Sequence, residues 1–120
     1  MKKKILIFVN DYNNIVNLRY NLISYLRLFY EVEILVIDKI KNNNKIKNIY
    51  SLNKKYKSIN ILKDFILLFK IFNFLKKRSP DLVINFTIKP LIYGTLTSYF
   101  LKIKSINVVT GLGSIFINKI

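Results

Sequence analysis

Three short apolar runs in this sequence each end in polar residues whose side chains could bind or activate a substrate. The polar segments are 10–17, 87–89 and 110–114. An asparagine amide donates and accepts hydrogen bonds, which suits sugar hydroxyls, and a lysine attracts phosphate or carboxylate. We take the candidate substrate-binding and catalytic residues from these segments: Asn10, Asp11, Thr87, Lys89, Thr110, Gly111 and Gly113.

Two of these residues carry a charge that could act on a substrate directly. Asp11 is one of only six acids and is our candidate catalytic residue, because it could orient or deprotonate an acceptor hydroxyl. The alternative is an aspartate that forms a turn or begins a helix. Lys89 stands just ahead of a helix predicted to begin at Pro90, where backbone N–H groups favour an anion. The alternative is that Lys89 is simply one of 18 lysines.

Glycine is rare in this chain, and its positions therefore carry information. Two of the three glycines, Gly111 and Gly113, lie in one loop after a predicted strand, where they would allow a ligand to approach the backbone closely. The alternative for this loop is an ordinary turn. Gly94 falls inside a predicted helix, where it costs roughly 1 kcal/mol relative to alanine. We expect it to let that helix pack closely on the sheet.

Several classes of chemistry are excluded by what the sequence lacks. The chain has no cysteine and no histidine, which removes disulfides, thiolate or histidine zinc sites, and His-dependent nucleophilic mechanisms. The first polar segment has no glycine, so the dinucleotide-binding pattern G-x-G-x-x-G is absent, as is the P-loop pattern. We expect no metal and no cofactor.

The formal net charge is +15, which raises the question of a nucleic-acid partner. Lys, Asn and Ile make up 54 of the 120 residues, and all three have AT-rich codons, so codon bias accounts for much of this charge. The lysines are scattered along the sequence and do not form a cluster interleaved with exposed aromatics. We therefore expect no nucleic-acid binding, although the charge still attracts anionic lipid head groups and phosphates.

Apolar patterning predicts a strand–helix alternation over the whole chain. Strands are predicted at 4–9, 32–37, 46–52, 82–86 and 106–109, and helices at about 18–29, 61–77 and 90–101. The first helix is expected to have an apolar face of Leu18, Leu22, Tyr25, Leu26 and Phe29. This order predicts an α/β fold with a doubly wound, Rossmann-like parallel sheet of about five strands in the order 3-2-1-4-5. Its ligand crevice would lie beyond the first and fourth strands, where the polar segments fall.

No targeting or membrane-spanning segment is expected. The apolar run after Lys2 to Lys4 is only five residues long, whereas a signal peptide needs roughly 7–15. The segments 61–74 and 82–101 both carry charges that a spanning helix avoids. The expected location is therefore the cytoplasm, either in solution or at a membrane surface.

The segments 80–94 and 106–114 resemble the N-terminal domain of family 4 glycosyltransferases, especially those that build bacterial capsule and O-antigen. The first carries Pro80-Asp81-Leu82-Val83-Ile84-Asn85-Phe86-Thr87-Ile88-Lys89-Pro90, and the second Thr110-Gly111-Leu112-Gly113. The resemblance covers essentially the whole chain, and its first half is generic. It departs from many family members in lacking a Gly-rich first loop and a His after the fifth strand.

The resemblance implies an incomplete GT-B N-terminal domain over residues 1–120, truncated at its C-terminal end. In that family this domain binds the acceptor, and a C-terminal domain, absent here, binds the sugar nucleotide donor. The chain would be the acceptor-side half of an enzyme that transfers a hexose or N-acetylhexosamine to a lipid-linked or polysaccharide acceptor, inactive alone and peripheral on the anionic inner leaflet. The alternative is a non-catalytic acceptor-binding subunit that works with a separate donor-domain chain. By analogy, Thr87, Lys89 and the 110–113 loop face the cleft between the domains.

Overall fold

Five parallel strands form one sheet in the order β3-β2-β1-β4-β5, which confirms the predicted topology. The structure is a computed structural model that describes residues 3–12, 15, 20–40, 46–52 and 61–108. Strands β1 and β4 have the bounds that the sequence predicted, and β3 is the shortest. The strands are β1 (Lys4–Val9), β2 (Glu31–Val36), β3 (Ile49–Ser51), β4 (Leu82–Phe86) and β5 (Lys104–Val108).

Both faces of the central strand are buried, as continuous apolar runs in a parallel sheet require. Because side chains alternate, Ile5, Ile7 and Val9 of β1 face one core cluster, and Leu6 and Phe8 face the other. The first cluster lies under helix α1 (Tyr20–Leu26), and we name that side of the sheet the α1 face. The second lies under helices α2 (Ile61–Arg78) and α3 (Ile88–Leu101).

Helix α1 differs from its prediction in which side faces the core. Ile23 is its buried residue, whereas Leu22, Tyr25 and, just beyond the helix, Phe29 are exposed. Of the expected apolar face, Leu26 does pack against the core, and Leu18 lies outside the described residues, so the prediction for this face was right only in part. Apolar residues occur on more than one side of α1. The helix buries the side that carries Ile23, which packs against residues of β1 and β2.

Helix α2 buries one narrow stripe, Leu67, Ile71 and Leu75, against the sheet. These residues are four apart, so they follow one side of the helix. The helix ends at Arg78, as predicted from Ser79 and Pro80 that follow it, and Ser79 has a positive φ of 48°. Helix α3 begins at Ile88, two residues before the predicted start at Pro90.

Gly94 packs α3 against a buried asparagine, as the sequence predicted for this glycine. A Cβ atom at Gly94 would lie 2.0 Å from Oδ1 of Asn85, which is fully buried on β4. Nδ2 of Asn85 donates to Oδ1 of Asn107 on β5 at 2.9 Å, and Oγ1 of Thr95 donates to the same oxygen at 3.1 Å. This polar network fixes β4, β5 and α3 together.

The amino edge of the sheet, opposite the predicted crevice, holds a charged cluster around a buried carboxylate. Glu33 is only 6% exposed and lies 3.9 Å from Nζ of Lys4 and 3.7 Å from the guanidinium of Arg78. The Arg78 guanidinium also lies 4.4 Å over the ring of Tyr50. A buried carboxylate needs such partners. Over the described residues, no helix combines the length and apolarity that crossing a bilayer requires.

Candidate functional site

The carboxyl ends of β1 and β4 lie side by side, and the candidate residues follow directly from them. The two strands pair in parallel with Ile7 opposite Ile84 and Phe8 opposite Asn85. Asn10 leaves the sheet one residue after β1, and Thr87 one residue after β4. The topology reverses between these strands, and ligands of doubly wound sheets bind at that point. The structure therefore brings Asn10 and Thr87 to the same carboxyl edge of the sheet, next to each other in strand order.

Asn10 is held by its backbone and has an amide oxygen with unused hydrogen-bonding capacity. Its carbonyl accepts from the N–H of Asp38 at 3.0 Å, which ties the end of β1 to the end of β2. Its Oδ1 atom is buried and has no hydrogen-bond partner among the described residues. A ligand hydroxyl or amide at this edge would satisfy that acceptor. Asp11, the next residue, is half-buried at the same edge.

Thr87 has a backbone conformation that is costly for a β-branched residue. Its φ is 73° and its ψ is 165°, in a region that glycine occupies almost alone. It precedes α3 but makes no side-chain cap, because its hydroxyl donates to the carbonyl of Phe86. The backbone conformation of Thr87 therefore sets where α3 begins at the carboxyl edge of the sheet, and it carries local strain.

Lys89 lies in the first turn of α3 and reaches across to α2. Its Nζ is 3.5 Å from Oδ1 of Asp64, and both side chains are mostly buried. Asp64 is in the first turn of α2, so the amino-terminal turns of both helices meet at the carboxyl edge of the sheet. Asp64 also supplies the negative charge that we expected an anionic ligand to bring to Lys89.

Tyr93, one turn further along α3, completes this cluster. Burial, together with the charge of Asp64 and a hydrogen bond to its carboxylate, raises the pKa of Tyr93 above its ordinary value. The phenol is protonated at neutral pH and donates to Asp64. Lys89, Asp64 and Tyr93 form a polar triad where the first turns of α2 and α3 meet, at the carboxyl edge of the sheet.

The sequence reasoning missed Asp64 and Tyr93. The available signal was topological: right-handed crossovers place α2 and α3 on the same face of the sheet, with both helices starting at its carboxyl edge. An acid in the first turn of one helix and a lysine in the first turn of the other should then meet. Linear spacing alone separates Asp64 from Lys89 by 25 residues.

The remaining candidates, Thr110, Gly111 and Gly113, lie outside the described residues, so their predicted role stays a prediction. Within the described ranges, no group of three or more acidic, histidine or cysteine side chains could hold a metal ion. What the structure brings together is Asn10, Asp11 and Thr87 at the strand ends, with Lys89 beside them.

A stripe of exposed apolar residues runs along α2 from its first turn. It consists of Leu62, Phe65, Ile66 and Phe69, which are between 51% and 75% exposed, and we call it the outer stripe. Their spacing of three and four residues places them on one side of the helix, opposite the buried stripe. Two exposed lysines, Lys63 and Lys70, border it on one side, since seven residues span about two helical turns. The stripe begins in the same first turn of α2 as Asp64, but Asp64 points to the other side of the helix, towards Lys89.

Comparison with known proteins identifies relatives in structure alone. No family model matches the chain, and no curated protein matches it. UDP-N-acetylglucosamine 2-epimerase from Rickettsia bellii is 12% identical with a TM-score of 0.70, over 89% of this chain and 31% of that one. MurG from Acinetobacter baumannii is 17% identical with a TM-score of 0.68, over 88% of this chain and 33% of that one.

A third similar structure has a different description. The C-terminal domain of PF1911 hydrogenase from Pyrococcus furiosus is 15% identical with a TM-score of 0.61, over 90% of this chain and 94% of that one. At these identities the similarities show a shared Rossmann-like fold. The chain spans about a third of the length of the epimerase and MurG chains.

Proposed function

We propose that this chain is the acceptor-side half of a glycosyltransferase with the GT-B architecture. The observation that carries the proposal is the carboxyl edge of the sheet at the strand-order reversal. There the Asn10 amide oxygen has no hydrogen-bond partner among the described residues, Thr87 forms a strained turn, and Lys89 pairs with Asp64. The amide oxygen suits a sugar hydroxyl, and a ligand phosphate would share the Lys89 ammonium with the Asp64 carboxylate. Asp11 lies at the same edge and is the candidate group to orient the acceptor hydroxyl.

The similar structures support a sugar-nucleotide setting for this fold. The epimerase is named for UDP-N-acetylglucosamine, which is a sugar nucleotide, and its chain is about three times as long as the part matched here. The hydrogenase domain shows that the fold also occurs elsewhere, so the crevice residues carry more of the proposal than the fold does.

The proposed reaction transfers a hexose or N-acetylhexosamine from a sugar nucleotide to a lipid-linked or polysaccharide acceptor, as in capsule or O-antigen synthesis. The donor would bind mainly to a second domain, so this chain alone binds acceptor without forming a glycosidic bond. No metal or other cofactor enters the proposal. A non-catalytic acceptor-binding subunit, paired with a separate donor-domain chain, is the alternative, and it uses the same crevice.

The proposal places the protein in the cytoplasm, at the inner leaflet of the membrane. The outer stripe supports this placement, because four large apolar side chains bordered on one side by lysines suit an anionic bilayer surface. The stripe begins at the end of α2 that also carries Asp64, the partner of Lys89. In the proposed arrangement, a lipid-linked acceptor keeps its lipid in the bilayer while its phosphate passes round this helix end to Lys89.

The test is acceptor binding to the 120-residue chain, measured by calorimetry with a short-chain polyprenyl diphosphate that carries N-acetylglucosamine. Replacing Lys89 by glutamine should weaken binding about tenfold or more, which corresponds to about 1.4 kcal/mol. Lys77→Gln is the matched control, because it removes the same charge from an exposed position in the last turn of α2, away from the outer stripe. Equal losses in the two variants would mean that the ligand responds only to net charge, and the proposal would be wrong.

A further inference from the structure

The ion pair between Lys89 and Asp64 joins two helix ends that differ in how well their own charges suit them. The amino end of a helix carries partial positive charge, so an acid is favoured there and a lysine is not. Asp64 therefore suits the first turn of α2. Lys89 lies in the first turn of α3, which contains no acid of its own. Asp64 supplies from the neighbouring helix the negative charge that the amino end of α3 lacks.

The Asp64 carboxylate has a second partner that does not depend on Lys89. Tyr93 donates a hydrogen bond to it from α3. The Asp64 side chain is only 25% exposed, and a largely buried carboxylate without partners is costly. The Tyr93 phenol and the amino end of α2 therefore continue to stabilise this carboxylate when the Lys89 ammonium binds another anion.

The geometry of the ion pair allows Lys89 to exchange partners. Nζ of Lys89 lies 3.5 Å from Oδ1 of Asp64, whereas a tight charge-assisted hydrogen bond is roughly 2.7–2.9 Å long. A lysine ammonium has three donors at the end of a flexible stem. A phosphate at the carboxyl edge of the sheet can thus bind this ammonium without any movement of the α3 backbone.

We propose that Asp64 is a specificity-determining residue that competes with the acceptor phosphate for Lys89. The inference rests on the proposed function, because it concerns the same phosphate. In the free chain Asp64 neutralises Lys89, so a ligand phosphate must displace the carboxylate and also meets its repulsion. Phosphate alone is therefore bound weakly. A ligand that also offers a sugar hydroxyl to the Asn10 amide oxygen gains the additional contact that occupancy requires.

The test measures binding of two ligands to Asp64→Asn and to the wild-type 120-residue chain by calorimetry. The ligands are inorganic diphosphate and the short-chain polyprenyl diphosphate that carries N-acetylglucosamine. Asp64→Asn should bind both about fivefold tighter, because the competing charge is gone while the amide oxygen can still accept from Tyr93. A residue that only holds α2 and α3 together would give the opposite sign, since a looser helix pair weakens binding.

Glu31→Gln is the matched control for Asp64→Asn. It removes one negative charge from an exposed position at the start of β2, at the amino edge of the sheet. Both affinities should stay at their wild-type values. Equal tightening in Glu31→Gln and Asp64→Asn would show a response to net charge alone and would overturn the inference.

Tyr93→Phe tests the same competition without a change of charge. It should bind both ligands about threefold more weakly, because Asp64 then has no phenol to stabilise it when Lys89 exchanges partners. In the Asp64→Asn background the same substitution should have no effect on binding. If Asp64→Asn does not fold, Tyr93→Phe decides alone, and binding that is unchanged or tighter in this variant would overturn the inference.

The outcomes separate this inference from the proposed function. If Lys89→Gln weakens acceptor binding but Asp64→Asn leaves it unchanged or weakens it too, the competition does not exist and the proposed function stands. If neither the wild type nor Asp64→Asn binds the acceptor analogue, the proposed function fails, and this inference fails with it.

Discussion

Thr87 combines an unfavourable backbone conformation with a position at the mouth of the proposed crevice. A β-branched residue at φ 73° and ψ 165° costs on the order of 1–3 kcal/mol, and the surrounding structure must hold it there. The sheet supplies that constraint, because β4 pairs with β1 as far as Asn85 and with β5 as far as Phe86, the residue before Thr87. Strain of this kind is common at ligand sites, where it fixes a turn in one geometry.

We expect Thr87→Gly to stabilise the chain by about 1 kcal/mol, because glycine adopts this conformation without steric cost and loses only part of the gain to unfolded-state entropy. The measurement is the free energy of unfolding from urea denaturation. Thr87→Ala is the control, since it removes the hydroxyl but keeps a Cβ, and it should not stabilise. If glycine and alanine shift the stability equally, the backbone is not strained at this residue.

At the scale of helices, the polar triad ties α2 to α3 through groups from different helices. Asp64 on α2 accepts from Tyr93 and pairs with Lys89, both on α3. The phenol must be protonated to donate. Its pKa is raised in the folded chain, so the stability it contributes is complete below the ordinary value of 10.0 and is lost as the pH rises through the folded-state value.

Between about pH 9 and pH 12, the wild-type chain should therefore lose more unfolding free energy than Tyr93→Phe, which has no proton to lose. The comparison cancels the titration of the lysines, which both chains share. Tyr99→Phe, at a position 79% exposed, is the matched control and should follow the wild type. Parallel curves for wild type and Tyr93→Phe would show that the phenol does not depend on Asp64.

The sequence predicted the elements well where one periodic pattern dominated. Strands β1 and β4 were located to the residue, because each is a run of apolar residues bounded by a charged or turn-forming residue at one end and a polar residue at the other. The inward side of α1 was predicted only in part: Leu26 packs on the core, but the buried Ile23 was missed. In a chain with 52% hydrophobic residues, several apolar stripes compete on one helix. Periodicity identifies a stripe but does not determine which one the sheet covers.

The site was predictable only in part, for a related reason. Asn10, Asp11, Thr87 and Lys89 follow strand ends, and topology alone places them at one edge. Their partners Asp64 and Tyr93 lie on helices, where a side chain's neighbours depend on how two helices pack. That packing is tertiary information, and no local spacing in the sequence contains it.

At the scale of the whole molecule, the outer stripe and the net charge of +15 act together. Apolar burial supplies affinity for a bilayer, and charge supplies a preference for anionic lipid. We expect the chain to sediment with phosphatidylglycerol vesicles and much less with phosphatidylcholine vesicles. Phe65→Ser/Phe69→Ser should reduce vesicle binding about tenfold or more, because each large apolar side chain contributes about 1.5–3 kcal/mol when buried.

Tyr99→Ser/Phe100→Ser is the matched control for vesicle binding. These two aromatics are 79% and 71% exposed, but they lie at the far end of α3, away from the crevice. They should change binding little. If replacing them reduces vesicle binding as much as replacing Phe65 and Phe69 does, the chain meets the membrane through its amino edge, and the proposed path from the bilayer to Lys89 is wrong.

The most direct test of the central claim is to map where the acceptor binds. Amide chemical shifts of the isotope-labelled chain can be followed while the prenyl diphosphate acceptor analogue is added. The account predicts that the largest changes fall at Asn10, Asp11, Thr87 and Lys89, with smaller ones in the first turn of α2. Changes centred on residues 102–106 at the opposite edge, or spread evenly over the lysines, would contradict an acceptor site at the junction of β1 and β4.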